Sequence, residues 1–186
     1  MTASTPEGST DPGPADSDVA DWTWVLSRAC PDCDFDAEAQ AVEDVPDALR
    51  DSGPRYAARL GRPDALTRPR PGVWSPLEYA CHARDVADVM RGRLEQILDG
   101  GGSVVTFANW DQDAAAVDGQ YWRTDAATVA DQAMVSLAGA AAAYARPTDQ
   151  QWEWPALRSN GSPFTARTLA LYFLHDIRHH LWDVTA

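Results

Sequence analysis

Apolar positions recur at helical spacing in four stretches of the chain. Val42, Val45, Leu49, Tyr56 and Leu60 predict a first helix over about residues 37–60, with Pro46 and the Gly53-Pro54 pair as points where it starts or kinks. Gly61 stands where a left-handed cap would end it, and Pro63 follows. The second helix has the sharpest start. Ser75-Pro76-Leu77-Glu78 combines an N-cap serine, proline at the first helical position and glutamate at the third, so serine and glutamate oxygens each accept from an orphan backbone N–H. Trp74 and Tyr79 flank the cap as a hydrophobic staple. Its stripe runs Tyr79, Ala83, Val86, Met90, Leu94, Ile97, and three glycines from Gly100 end it. Val129, Met134, Leu137 and Tyr144 mark an alanine-rich third helix over 124–144, suited to close packing. A fourth, over 165–184, carries Ala170, Phe173, Leu174, Ile177, Leu181 and Val184 on one face. Little of the chain alternates as a strand does. The expected fold is therefore all-α, a four-helix bundle with a long crossover between helices two and three.

That crossover, about residues 103–123, holds Phe107, Trp110, Tyr121 and Trp122, and a short helix is expected within it near 111–117. Connections of such length are often lids over a site. Residues 1–20 are rich in Ser, Thr, Pro, Gly and Asp and are expected to form a disordered tail. The bundle domain is assigned to 21–186, with Trp22, Trp24, Val25 and Leu26 docking as an extended arm.

Composition narrows the function. The 186 residues carry a formal charge of -13, and all fifteen basic residues are arginine. Without a basic patch, nucleic acid is not an expected partner. The absence of lysine excludes Schiff-base chemistry. No apolar run reaches the roughly 20 residues that span a bilayer, so no membrane partner is expected. The N-terminus lacks the basic and apolar parts of a signal peptide, and a cytoplasmic location follows. Three cysteines do not make a disulfide framework. Cys30-Pro-Asp-Cys33 is half of a zinc-ribbon pattern; with no second pair of cysteines, it reads as two small residues in a tight turn.

Three of the four histidines lie in His175-Asp176-Ile177-Arg178-His179-His180. His175 and His179 stand one turn apart on one side of a helix, and His82 falls within the stripe of helix two. Together His82, His175 and His179 are a candidate set of metal ligands that leaves a fourth position open. Glu78 and Asp85 flank His82 and are candidates to accept from its second ring nitrogen; Asp176 and Asp183 are candidates for the same role beside His180 and His179. His180 is left over, a surface residue or a general base beside the site. Arg178 falls inside the apolar arc, where it either snorkels or binds an anion, and Arg158 is a second anion-binding candidate. Cys81 reads as a small buried residue.

Trp74 to His82, the segment Phe107-Ala-Asn-Trp-Asp111, and Phe173-Leu-His-Asp-Ile-Arg-His-His-Leu-Trp-Asp-Val184 resemble the actinobacterial branch of the DinB/YfiT-like superfamily. The resemblance implies a metal-dependent four-helix bundle, sometimes dimeric, that holds zinc or nickel at the positions of His82, His175 and His179. It also implies a thiol S-transferase or isomerase that uses a low-molecular-weight thiol such as mycothiol, with a small electrophile as second substrate. The chain departs from the mycothiol-dependent maleylpyruvate isomerases by ending at Ala186, with no second domain to help close the site. The expectation is a metal-dependent S-transferase with His180 and Arg178 as candidate catalytic residues. Its alternatives are a metal-dependent hydrolase, with His180 or Glu78 as base, and a non-catalytic metal-binding stress protein.

Overall fold

The computed structural model describes residues 12–13 and 21–185. The expected tail at 1–20 lies almost wholly outside them. Four long helices build the core: α1 (Val45–Leu60), α2 (Pro76–Asp99), α4 (Ala126–Tyr144) and α6 (Ala166–Asp183). Two short ones, α3 (Gln112–Asp118) and α5 (Asp149–Trp152), lie in the connections. A small sheet joins β1 (Val105–Phe107), β2 (Pro155–Arg158) and β3 (Pro163–Thr165), with β1 parallel and β3 antiparallel to β2. None of the helices among the described residues is long and apolar enough to cross a membrane.

The helix starts follow from local chemistry. Ser75 Oγ accepts from the Glu78 N–H while a Glu78 carboxylate oxygen accepts from the Ser75 N–H at 2.8 Å. The rings of Trp74 and Tyr79 meet edge-on at 5.4 Å, as a staple requires. Asp125 and Thr165 cap α4 and α6 in the same way, each accepting from a backbone N–H three residues on. The first helix begins later than its apolar pattern suggests. Residues Val42–Asp44 form a 3-10 turn, and Pro46 occupies the first turn of α1, where its missing N–H costs nothing. Gly61 ends α1 in right-handed geometry at φ -73°, so a left-handed cap is not used there.

α4 and α6 each pack against both α1 and α2, whereas α1 and α2 touch only lightly across the diagonal. Gly53 permits the close α1–α4 approach: a Cβ there would sit 3.1 Å from the Met134 Cα. Tyr56 OH donates to the Ile177 carbonyl at 3.1 Å and ties α1 to α6. Tyr144 OH donates to the Met90 carbonyl at 3.0 Å and ties α4 to α2. Leu49, Leu94, Ile97, Leu137, Leu169, Leu174 and Ile177 are fully buried between the four helices.

The sheet, which the alternation pattern did not reveal, braces the long crossover. The Ser159 N–H donates to the Phe107 carbonyl, and the Asn109 N–H donates to Ser159 Oγ, both at 2.9 Å. These bonds hold Trp110 over one end of the bundle.

Two substitutions test this account. Leu137→Ala removes a fully buried side chain at the centre of α4 and is expected to cost about 2–5 kcal/mol in urea unfolding. Ser75→Ala removes the cap of α2 and is expected to cost about 1 kcal/mol.

Candidate metal centre

α6 presents two pairs of polar side chains at i, i+4 spacing, offset by one residue. His175 and His179 form one, and Asp176 and His180 the other. At about 100° per residue, the two pairs point in different directions from the same two turns. Each meets a different partner segment, so the structure does not gather His82, His175 and His179 about one point. Among the described residues, two groups bring their ligand atoms within 4.8 Å of one another: His82 with Asp176 and His180, and Cys30 and Cys33 with His175 and His179.

In the first group, His82 reaches from α2 to α6. Its Nε2 lies 3.1 Å from Asp176 Oδ2, and the His180 Nε2 lies 3.7 Å from Asp176 Oδ1. The His82 and His180 rings meet edge-on with centroids 4.9 Å apart. His180 Nδ1 lies 2.8 Å from Asp183 Oδ2. That carboxylate keeps the proton on Nδ1, which leaves the Nε2 lone pair for a ligand. Burial works to raise the Asp176 carboxyl, but the neighbouring His82 and His180 outweigh it and hold it down to about 2. The carboxylate is therefore ionised at neutral pH. His82 Nδ1, the ring nitrogen that does not face Asp176, is buried without a hydrogen-bond partner, the kind of loose end that an ordered water explains. Two imidazoles and a carboxylate from two helices fit a divalent cation with room for a further ligand.

Glu78 and Asp85 do not serve His82. Glu78 is taken by its own helix cap and by the Arg68 guanidinium. Asp85 is taken by Arg84 and by the Tyr121 hydroxyl. Asp183 holds His180 at 2.8 Å and stands 3.9 Å from His179 Nε2. Arg178 lies away from the cluster: its Nη1 donates to Gln40 Oε1 at 2.8 Å, and its guanidinium covers the Phe35 ring. The expected anion-binding role has no support in that placement. Cys81 is buried, and its Sγ lies 3.2 Å from Thr124 Oγ1.

A cavity of about 1000 Å³ opens beside both groups: Asp176 and His180 of the first and His175 and His179 of the second line it, with Trp22, Trp74, Tyr79, Trp110, Arg70 and Arg158. Trp110 stacks on His82 at 5.5 Å, so the crossover does cover the cluster. Arg158, the other candidate for binding anionic groups, lines the cavity, and its guanidinium is engaged by Asn160 and Ser162.

Residues 39–184 match the model of the DinB superfamily. The chain belongs to the DinB superfamily. Among solved structures, this DinB-superfamily chain is similar to YfiT from Bacillus subtilis at 19% identity and a TM-score of 0.59, over 77% of this chain and 81% of that one. YfiT is described as a probable metal-dependent hydrolase with an unusual four-helix bundle topology. No curated protein matches the chain significantly. The all-α bundle expected from the apolar pattern is thus the DinB fold, and the three-stranded sheet is a minor addition to it.

Asp176 was legible only as a supporting acceptor, yet it lies at the middle of the cluster. The signal was present: Asp176-x-x-x-His180 has the same helical spacing as His175-x-x-x-His179, and Asp183 stands three residues beyond His180. Replacing Asp183 with asparagine is expected to weaken cation binding at the His82 cluster about 10–100-fold, read by competition with a chelating dye. Arg178→Ala is expected to leave that affinity within about twofold, since it alters no group near the cluster.

Proposed function

We propose that the chain is a metal-dependent S-transferase that joins a low-molecular-weight thiol such as mycothiol to a small electrophile, with His82, Asp176 and His180 as its cation ligands. One observation carries this reading. Two imidazoles and an ionised carboxylate converge beside a large cavity with polar and aromatic walls, which Asp176 and His180 line. When bound there, a divalent cation such as zinc or nickel supplies Lewis acidity that lowers the pKa of a thiol or water in the remaining position.

The chain's own residues do the rest. Asp183 Oδ2 holds the His180 Nδ1 proton and fixes the ring. Trp110 and Trp74 pack on His82 from two sides and keep bulk water from the reacting centre. Arg70, Asn109, Gln112 and Asn160 line the cavity with donors and acceptors suited to the hydroxyls and amides of a sugar-bearing thiol. A cavity that size exceeds what a small ester or amide would fill.

The shared fold with YfiT favours a second reading, hydrolysis, in which water takes the open position. The two separate in one assay of the zinc-loaded protein. On the first reading, conjugation of a fluorogenic electrophile requires thiol, is not supported by the S-methyl analogue, and falls at least about 100-fold in His82→Ala. Cleavage of esters or amides without thiol would establish the second. Loss of neither activity on metal removal would leave a metal-binding protein without catalysis at this site.

A further inference from the structure

Cys30 and Cys33 lie outside the proposed reaction, and so do the two histidines that the spacing first singled out. We propose that Cys30, Cys33, His175 and His179 form a second, structural zinc site of the Cys2His2 type, independent of the open centre at His82.

The ligand pattern is Cys-x-x-Cys with His-x-x-x-His, the spacings zinc uses in small structural sites. What hides it in the sequence is the distance between halves: Cys30 and His179 are 149 residues apart. The fold closes that gap, placing all four ligand atoms within 4.8 Å of one another. Zinc bond lengths of about 2.3 Å to sulfur and 2.05 Å to nitrogen, at the tetrahedral angle, imply a sulfur–nitrogen edge of about 3.6 Å. Cys30 Sγ stands 3.6 Å from His179 Nδ1.

Two further observations point to a ligand. His175 is buried, and its Nε2 has no hydrogen-bond partner. A buried acceptor or donor left in that state costs about 1–3 kcal/mol, a cost that ligation removes. The cysteines are also arranged as a knuckle rather than an ordinary turn. Asp34 adopts a left-handed φ of 57°, its N–H donates to the Cys30 carbonyl at 3.0 Å, and the Cys30 N–H donates to the Phe35 carbonyl at 2.8 Å. All three cysteines are free thiols, so no disulfide competes for this pair.

Its coordination is complete, which marks it as structural, and its two histidines sit in the wall of the cavity. Four protein ligands leave no open position. Trp22 covers His175 and His179 with ring centroids at 5.9 and 5.3 Å, and Phe35 meets His175 edge-on at 5.4 Å. Its work is to fasten the segment from Trp22 to Phe35 onto α6. Trp22 also lines the cavity, so the clamp builds part of the substrate wall.

The two centres respond to different substitutions. In the purified full-length chain, one equivalent of zinc is expected to survive His82→Ala and to be lost in the Cys30→Ser/Cys33→Ser double variant, as measured by mass spectrometry of metal content. Cobalt-substituted His82→Ala is expected to show sulfur-to-cobalt charge-transfer absorption. Since the double variant can fail to fold, the unaltered protein supplies a second measurement. Cys30 and Cys33 are expected to resist alkylation in the native chain and to become reactive once a strong chelator is added. Equal zinc content with and without the two cysteines, or alkylation indifferent to the chelator, overturns the site.

Discussion

The α-helical repeat on α6 is the constraint from which the candidate chemistry follows. One helix has to bury Leu169, Leu174, Ile177 and Leu181 in the core while carrying three histidines and two aspartates along its remaining surface. With about 3.6 residues per turn, adjacent residues diverge and residues four apart align. Two interleaved pairs therefore cannot serve one centre. His175 and His179 turn toward the N-terminal segment, and Asp176 and His180 turn toward α2. Asp183 spans the divide: its Oδ2 is 2.8 Å from His180 Nδ1 and 3.9 Å from His179 Nε2. That carboxylate thus orients the His180 ring of one cluster while standing beside His179 of the other.

Burial makes these polar groups expensive unless they are matched. His175, His179 and His82 are all buried, and buried polar atoms without partners cost about 1–3 kcal/mol each. Burial, followed by the neighbouring His179, pushes His175 down to about 4, and burial likewise lowers His179. Both rings are therefore neutral at physiological pH, the form in which imidazole nitrogen offers a lone pair. Burial, aided by the adjacent Cys30, pushes the Cys33 thiol up to about 11. That shift describes a thiol kept protonated by its surroundings, so a cation there would have to displace the proton to gain a ligand.

What the sequence disclosed depended on how local the signal was. The start of α2 was readable because the cap oxygen and the N–H that donates to it lie three residues apart. The staple of Trp74 on Tyr79 was readable for the same reason. The sheet was not, because strands of three and four residues offer too few positions for alternation, and Val105 pairs with Ala156 far along the chain. The metal centre fell between these cases. The helix bearing the ligands was evident, and so was His82, but His-x-x-x-His drew attention from the Asp-x-x-x-His pair one residue on. The half-pattern at Cys30 and Cys33 was visible without its complement, since spacing along a chain says nothing about which segments a fold brings together.

The charge of the chain bears on what the cavity can admit. A net -13 is spread over the molecule, and the cavity itself is lined by Asp21, Asp111, Asp113, Asp118 and Asp183 with Arg70 and Arg158 as the cationic side chains. Of these arginines, Arg158 already has Asn160, Ser162 and, at 3.6 Å, Asp21 as partners. Such a wall draws divalent cations inward and repels phosphate or multiply charged carboxylate substrates. Uncharged polyol groups suffer no such repulsion, and aspartate and asparagine side chains are able to accept from hydroxyls. On the proposed S-transferase reading, a cosubstrate whose polar bulk is uncharged meets the least resistance in such a field.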